Sequence, residues 1–167
     1  IDMQEKLMSA MHETKACEEK AAMLLKGLQV LSVPTVIVQQ YTKGLGNTLP
    51  SLYEAAGTTE YCEKASFSCC RNKAILDKLE AMGKKNMLVM GTEAHICVLQ
   101  SCMDLKAAGF QPVMVVDAVA GVEVSTEIIW ELADEQNIPT IGFINKLDRE
   151  NADFKKAFDS MQATLTR

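Results

Sequence analysis

Helix-forming and strand-forming segments alternate along the chain, and this alternation constrains the fold more than any other feature. The segment 14–31, "TKACEEKAAMLLKGLQVL", is rich in helix formers, and "PTVIVQQ" after it turns to β-branched residues. The same order recurs in "RNKAILDKLEAMG" and "KNMLVMG", and again in "AHICVLQSCMDLKAAG" and "QPVMVVDAV". Strands that are apolar on both faces and alternate with helices pair in parallel between layers of helices. We therefore predict an α/β fold with a doubly wound, Rossmann-like, mostly parallel sheet and helices on both faces.

Length, charge and cysteine content narrow the class of protein. A chain of 167 residues suits one domain with a complete core, and we predict a single domain over residues 1–167. The formal net charge of −5 disfavours a nucleic-acid-binding protein. No apolar run approaches the roughly 20 residues of a transmembrane helix, and no secretory signal pattern is visible. We expect a soluble, cytoplasmic protein with free thiols that binds neither nucleic acid nor membranes.

Cys97 follows a predicted strand through a glycine turn. In "NMLVMGTEAHICVLQS" (86–101), the apolar run breaks at Gly91 and the thiol falls at the start of a predicted helix. The free amides and the dipole of a helix N-terminus lower the pKa of a thiol and can also bind an oxyanion. This position suits a nucleophile with a lowered pKa. The structural alternative is an ordinary small core residue, as most helical cysteines are.

Two charged residues could assist a thiol. Asp2 in "IDMQEK" precedes a segment that becomes helical, where a carboxylate could act as a general base or only cap the helix. Lys64 in "YCEKASFSCC" is predicted in a loop before a helix, where it could stabilise developing charge or only be solvated. Each residue alone favours the structural explanation, whereas the two together with Cys97 suit nucleophilic catalysis.

Four segments carry a resemblance to a known family. In order and spacing, "IDMQEK", "QQYTKGLGNTLPSL", "EKASFSCC" and "GTEAHICVLQSCMDLKAAGFQPVMVVDAV" resemble the isochorismatase-like cysteine hydrolases, especially the branch called isochorismatase domain-containing. The resemblance covers about residues 1–120. It implies a catalytic triad of Asp2, Lys64 and Cys97. It also implies an oxyanion hole made by the amides of Glu93 and Cys97, with a cis peptide bond between Thr92 and Glu93.

The resemblance further implies a reaction and a substrate class. Asp2 would take the thiol proton, Cys97 would attack a carbonyl or imine carbon, and water would release the adduct of a small amide, ester or vinyl-ether substrate. Nicotinamidase relatives hold a metal through Asp and His residues, but "QQYTKGLGNT" contains no histidine, so we predict no metal and no cofactor. Residues at a strand end or beside the nucleophile are the candidates for the substrate pocket: Gln40, Tyr41, Thr92 and His95.

The resemblance breaks at both ends of the chain. In the family an apolar strand leads into the catalytic Asp, whereas only Ile1 precedes Asp2 here; either the native chain is longer, or Asp2 is poorly anchored. From about Val116 the sequence resembles the nucleotide domain of elongation factor G-type GTPases, which makes residues 121–167 a helix-strand-helix segment of a chimera.

The tail contains "NKLD", which matches the guanine-reading motif of these GTPases. By this match Asn145 and Asp148 would contact the base, and Lys146 would pack along it. The phosphate loop Gly-x-x-x-x-Gly-Lys-Ser/Thr does not occur in the 167 residues. Nucleotide binding is therefore disfavoured.

Three hypotheses follow. The leading one is a cysteine hydrolase with the triad above, acting on a small molecule. The second is a non-catalytic module that keeps the fold for self-association or partner binding, and it predicts that Asp2 and Lys64 lie too far apart to cooperate. The third is a guanine-nucleotide binder. Because proteins of this superfamily commonly assemble, we expect a homo-oligomer.

Overall fold

The computed structural model describes residues 1–11, 14–118, 124–144 and 154–165. The chain divides into two compact units, Ile1–Gly83 with Met90–Ser101, and Lys84–Val89 with Cys102–Arg167. The prediction of a single domain remains a prediction. In the described ranges, no helix is long and apolar enough to cross a lipid bilayer.

The first unit contains a two-stranded parallel sheet. Its strands are β1 (Ile37–Gln40) and β2 (Tyr61–Lys64), paired so that Gln40 lies opposite Lys64 at the carboxyl end of both. Its helices are α1 (Glu5–Ala10), α2 (Thr14–Val30), α3 (Thr42–Leu45), α4 (Pro50–Ala56) and α5 (Lys73–Ala81). In parallel sheets, ligands bind where the carboxyl ends of strands open into loops. The register of β1 and β2 therefore brings two polar side chains to such an end.

Apolar side chains fix these elements on two sides. One cluster joins the first residues and α1 to α2 and α4, and its buried members are Met3, Met8, Ala21, Leu25, Leu52 and Ala55. A second cluster joins β1 to the segment after β2 through Val38, Cys69 and Ile75. Burial of the larger of these side chains, the leucines, methionines, Val38 and Ile75, supplies about 1.5–3 kcal/mol each and helps to hold the carboxyl ends of β1 and β2 in place.

The second unit contains a three-stranded parallel sheet in the order β3-β4-β5. Its strands are β3 (Asn86–Val89), β4 (Gln111–Ala118) and β5 (Thr140–Ile144). Its helices are α7 (Val124–Glu135) and α8 (Phe154–Leu165), and α6 (Leu99–Ala107) begins in the first unit and ends in this one. Met114 of β4 and Ala133 of α7 are fully buried. The tail that resembles a GTPase thus supplies a helix, a parallel strand and a further helix.

The α/β fold class is confirmed, because the strands pair in parallel and helices surround them. The predicted location of Lys64 in a loop is wrong, since this residue ends β2. The segment "YCEK" is short and half polar, so its strand conformation depends on pairing with β1 and not on local propensity. Asn145, Lys146 and Asp148 lie outside the described residues.

Candidate active site

The ammonium of Lys64 and the carboxylate of Asp2 form a buried ion pair. Nζ of Lys64 lies 2.7 Å from Oδ2 of Asp2, and both side chains are 0% exposed. Nζ also donates to Oε1 of Gln40 at 2.7 Å and to the carbonyl oxygen of Ser66 at 3.2 Å. An ammonium has three donors, so each has an acceptor here. Buried charges persist when they are paired and hydrogen-bonded in this way.

Backbone hydrogen bonds anchor Asp2 on both sides. Its amide donates to the carbonyl of Val38 in β1 at 2.9 Å, and the nitrogen of Ile1 donates to the carbonyl of Met90 at 2.8 Å. The amide of Thr92 returns a bond to the carbonyl of Ile1 at 3.2 Å, and the Thr92 hydroxyl donates to the carbonyl of Asp2. Backbone hydrogen bonds therefore hold Ile1 and Asp2 in place from both sides. A poorly anchored Asp2 is not observed.

Gly91 allows the backbone of Ile1 to lie close to the segment that follows β3. A Cβ atom at position 91 would overlap the carbonyl oxygen of Ile1. Only a residue without a side chain lets the two backbones approach this closely. The glycine that interrupts the apolar run therefore has a steric reason, which is the placement of the residue preceding Asp2.

Cys97 lies in a helical turn that follows an unusual residue. Glu93 adopts the left-handed conformation with φ 55° and ψ 56°, a π-helical turn spans Ala94–Val98, and α6 starts at Leu99. The expected cis bond between Thr92 and Glu93 is wrong, because the peptide bonds of the described residues contain no cis bond. The left-handed φ of Glu93, and not a cis bond, accompanies the change of chain direction here.

The thiol of Cys97 is buried beside the ion pair. Burial raises the pKa of Cys97 to about 11, and the neighbouring carboxylate of Asp2 acts in the same direction. Lys64 lowers this pKa but does not offset the other causes. The expectation of a lowered pKa is wrong, because loss of water and the neighbouring carboxylate outweigh the helix start. The resting state of Cys97 is therefore a protonated thiol.

One carboxylate oxygen of Asp2 has no hydrogen-bond partner among the described residues. Its Oδ2 atom accepts from Lys64, whereas its Oδ1 atom is buried and has no hydrogen-bond partner among the residues that the structure describes. A buried carboxylate oxygen without a donor is unusual. Oδ1 is therefore an unoccupied hydrogen-bond acceptor on the carboxylate that contributes to the raised pKa of Cys97.

The pocket candidates occupy different surroundings. Gln40 contacts Lys64, and Thr92 is bonded to Asp2. Tyr41 is 55% exposed, and its ring lies against Gly44, where a side chain would overlap it. The ring of His95 is half exposed, with Nε2 3.7 Å from Oε2 of Glu93. A role in substrate binding stays a prediction for these four candidates.

Sequence reasoning missed Ser101, which connects the backbones of two cysteines. Its hydroxyl donates to the carbonyl oxygen of Cys97 at 2.6 Å and accepts from the amide of Cys69 at 3.0 Å. A hydrogen bond with Cys70 lowers the pKa of Cys69 to about 6, with further lowering from Ser101, the nitrogen of Ile1 and Lys64, while burial opposes the shift. Ser101 follows Cys97 by four residues, so helical spacing was the available signal.

Sequence reasoning also missed two buried glutamines, Gln4 and Gln39. Both are 0% exposed. Their amides bond to backbone and hydroxyl groups of the residues after β1, so they hold the loop that carries the Tyr-x-x-Gly-Leu-Gly motif. For Gln39 the available signal was its place in an apolar strand, because polar residues at buried positions require partners.

Comparison with known proteins matches the two parts of the chain to two different family models. Residues 1–129 match the family model described as "Isochorismatase domain", and residues 109–167 match the one described as "Elongation factor Tu GTP binding domain". The second match agrees with the resemblance of the tail to translational GTPases. The chain is 39% identical over 118 residues to isochorismatase domain-containing protein 2 of Bos taurus, covering 70% of this chain and 55% of the relative. It spans about half the length of the relatives it matches.

Solved structures share this fold. The MAR1 ribonuclease from Caenorhabditis elegans superposes with a TM-score of 0.71 at 26% identity, over 99% of this chain and 88% of that one. The YcaC gene product of Escherichia coli, an octameric hydrolase of unknown specificity, gives a TM-score of 0.74 at 16% identity, over 98% and 82%. On the match over residues 1–129, the chain belongs to the isochorismatase domain family, whose members are hydrolases.

Proposed function

We propose that the chain is a cysteine hydrolase in which Cys97 is the nucleophile, Asp2 the general base and Lys64 the residue that balances charge. One observation carries this proposal: a buried Asp2–Lys64 pair lies beside a buried thiol, and Oδ1 of Asp2 has no hydrogen-bond partner among the described residues. A merely structural ion pair gains nothing from a carboxylate oxygen left without a donor, since such an atom costs about 1–3 kcal/mol.

The first half of the reaction forms a covalent adduct. Asp2 takes the proton of Cys97 as the sulfur attacks the carbonyl carbon of an amide or ester, and the tetrahedral intermediate forms. Its collapse breaks the bond to the leaving amine or alcohol, which receives the proton from Asp2. Because the pKa of Cys97 is raised to about 11, transfer to Asp2 must accompany the attack.

The second half regenerates the thiol. Asp2 takes a proton from water, the resulting hydroxide attacks the thioester carbon, and Cys97 leaves and recovers a proton. Throughout, the positive charge of Lys64 balances the negative charge that moves between Asp2 and Cys97. We assign the backbone amides of Glu93 and Cys97 as the oxyanion hole, which would follow from their place at the start of a helical segment.

The substrate class is a small amide, ester or vinyl ether. A carbonyl or imine carbon is the electrophile that a thiolate attacks and that amide donors stabilise as an oxyanion or its nitrogen equivalent. We also expect a homo-oligomer, for which the octameric E. coli relative in fold is the supporting case.

The test is hydrolysis of a panel of small amides and esters by the unmodified chain and by Cys97→Ala. We expect Cys97→Ala to abolish turnover and to form no acyl adduct in intact-mass spectra, with its circular dichroism spectrum unchanged. Cys17→Ala is the matched control, because this half-buried thiol lies in α2, and it should retain full turnover. An unchanged rate in Cys97→Ala would refute the proposal.

The other two hypotheses make separate predictions. A non-catalytic module predicts that Asp2 and Lys64 lie too far apart to cooperate, yet their charged atoms are 2.7 Å apart. A guanine-nucleotide binder predicts that millimolar GTP raises the melting temperature. We expect no such rise.

A further inference from the structure

We propose that Gln40 is a positioning residue that holds the ammonium of Lys64 beside Asp2 and Cys97. This inference rests on the proposed function. It concerns a different residue from the three that carry out the chemistry.

Gln40 and Asp2 accept hydrogen bonds of equal length from Nζ of Lys64. Its Oε1 atom and Oδ2 of Asp2 each lie 2.7 Å from Nζ, whereas the carbonyl oxygen of Ser66 is more distant at 3.2 Å. Hydrogen bonds to a charged donor are shorter and stronger than neutral ones. Gln40 is therefore one of two close acceptors that define where the ammonium lies.

The acceptor is neutral, and this matters for the neighbouring thiol. The negative charge of Asp2 already contributes to the raised pKa of Cys97. A second carboxylate at position 40 would satisfy Nζ equally well but would add negative charge near the sulfur. An amide oxygen holds Lys64 without this effect.

The backbone of Gln40 is itself fixed by Gln4. The side chain of Gln4 accepts from the amide of Gln40 at 2.7 Å and donates to its carbonyl at 3.0 Å, and it also donates to the carbonyl of Gly46 at 2.6 Å. Because Gln40 also lies directly opposite Lys64 in the register of β1 and β2, its side chain reaches Nζ across the sheet. The position of Oε1 is thus determined by the fold and not by the lysine.

The proposed reaction explains why a second acceptor is needed. When Asp2 takes the thiol proton it loses its charge, and its hold on the ammonium weakens. Oε1 of Gln40 and the carbonyl of Ser66 then remain as fixed acceptors, and Nζ can turn its third donor to the new thiolate. Gln40 therefore keeps the cation in place while the negative charge moves from Asp2 to Cys97.

Gln39 provides a matched control in the adjacent position of the same strand. Successive side chains of a strand point to opposite faces. Gln39 accordingly bonds to the amide of Thr48, to the hydroxyl of Tyr53 and to the hydroxyl of Thr42, and not to Lys64. The same substitution at positions 39 and 40 thus removes a hydrogen-bonded side-chain amide in both cases, but removes a partner of Lys64 in only one.

The experiment measures the rate of Cys97 alkylation by iodoacetamide between pH 7 and 10, and mass spectrometry separates the thiols. The resulting pH-rate profile is compared among the unmodified chain, Gln40→Met and Gln39→Met. The titratable groups around Lys64 are Asp2, Cys97, Cys69 and the nitrogen of Ile1, and neither variant changes them. For Gln40→Met we expect the pH-rate profile to shift to higher pH by about one unit, which corresponds to a roughly tenfold lower alkylation rate at a given pH. For Gln39→Met we expect a lower melting temperature and an unchanged profile.

The outcomes separate this inference from the proposed function. A profile of Gln40→Met that coincides with that of the unmodified chain overturns the inference, as does an equal displacement in Gln39→Met. If Gln40→Met does not fold, Gln40→Asn replaces it, because it keeps an amide at this position but is one methylene too short to hold Nζ; Cys97 alkylation should again slow, and an unchanged rate would overturn the inference. The proposed function fails separately, if Cys97→Ala retains turnover.

Discussion

Nζ of Lys64 and Oδ2 of Asp2 lie 2.7 Å apart with no exposed surface on either side chain. Replacing such a buried pair by apolar residues often costs a protein nothing, whereas removing one partner leaves an uncompensated charge. The pair is therefore a poor device for stability alone. Its location beside a buried thiol makes it suitable for a reaction in which a proton, and with it a charge, changes place.

The first prediction concerns the cost of breaking the pair. Lys64→Met should lower the free energy of unfolding by about 3–5 kcal/mol, because Asp2 is left buried and unpaired. The double variant Asp2→Asn/Lys64→Met should recover most of this loss. Urea unfolding of the four chains in a double-mutant cycle measures the coupling. A Lys64→Met chain as stable as the unmodified one would mean that the charges are not paired in solution.

The second prediction separates ionisation from catalysis. Asp2 raises the pKa of Cys97, so Asp2→Asn should make the thiolate form more readily and speed iodoacetamide alkylation of Cys97 at pH 8. The same change removes the base, so turnover should fall by roughly 10²–10⁴-fold. Glu5→Gln, an exposed carboxylate in the first turn of α1, is the control and should change neither rate. Parallel changes of alkylation and turnover would contradict Asp2 as base.

The third prediction is a pH dependence of stability. The pKa of Cys97 is raised from its usual 9.0 to about 11 in the folded chain, so the folded state holds this proton more tightly than the unfolded state. The resulting stabilisation is fully present below pH 9 and is lost as the pH rises towards 11. Cys97→Ala should flatten this part of the curve. Denaturant unfolding at pH 8 and at higher pH, for both chains, tests the sign.

The fourth prediction compares two glycines. Gly91→Ala should displace Ile1 and with it Asp2, since a side chain at position 91 overlaps the carbonyl oxygen of Ile1. A misplacement of about 1 Å at a catalytic group can cost roughly 100-fold in rate. Gly27→Ala adds the same methyl group within α2, where nothing lies within 4 Å, and should stabilise the chain by about 0.5–1 kcal/mol. Equal effects of the two changes on turnover would contradict the steric role of Gly91.

The α/β class could be predicted from the sequence because long helices and apolar strands carry local signals. The helix predicted at residues 14–31 is α2, and the strand predicted before Gly91 is β3. By contrast, "YCEK" carries no such signal, and only pairing with β1 makes it a strand that ends at Lys64. A short polar strand is specified by its neighbours in the fold, which the local sequence does not contain.

The candidate site, too, could be predicted from the local sequence only in part. Residue spacing placed Cys97 near a helix start, but the triad of Asp2, Lys64 and Cys97 came from a resemblance and not from any local pattern. The predicted direction of the pKa shift of Cys97 was wrong, because the shift depends on burial and on the carboxylate of Asp2, 95 positions earlier in the chain. Electrostatic effects of this kind arise only when distant segments pack together.

Asp2 is hydrogen-bonded to Val38, which lies 36 positions later in the chain, and Ile1 is hydrogen-bonded to Met90, which lies 89 positions later. Contacts of such long sequence separation form slowly, since the entropy of closing a long loop must be overcome first. During synthesis, Asp2 is made before Val38 and Met90 exist to hold it. In a nascent chain Asp2 is therefore not yet held beside Cys97, and under the proposed mechanism turnover begins only when the fold is complete.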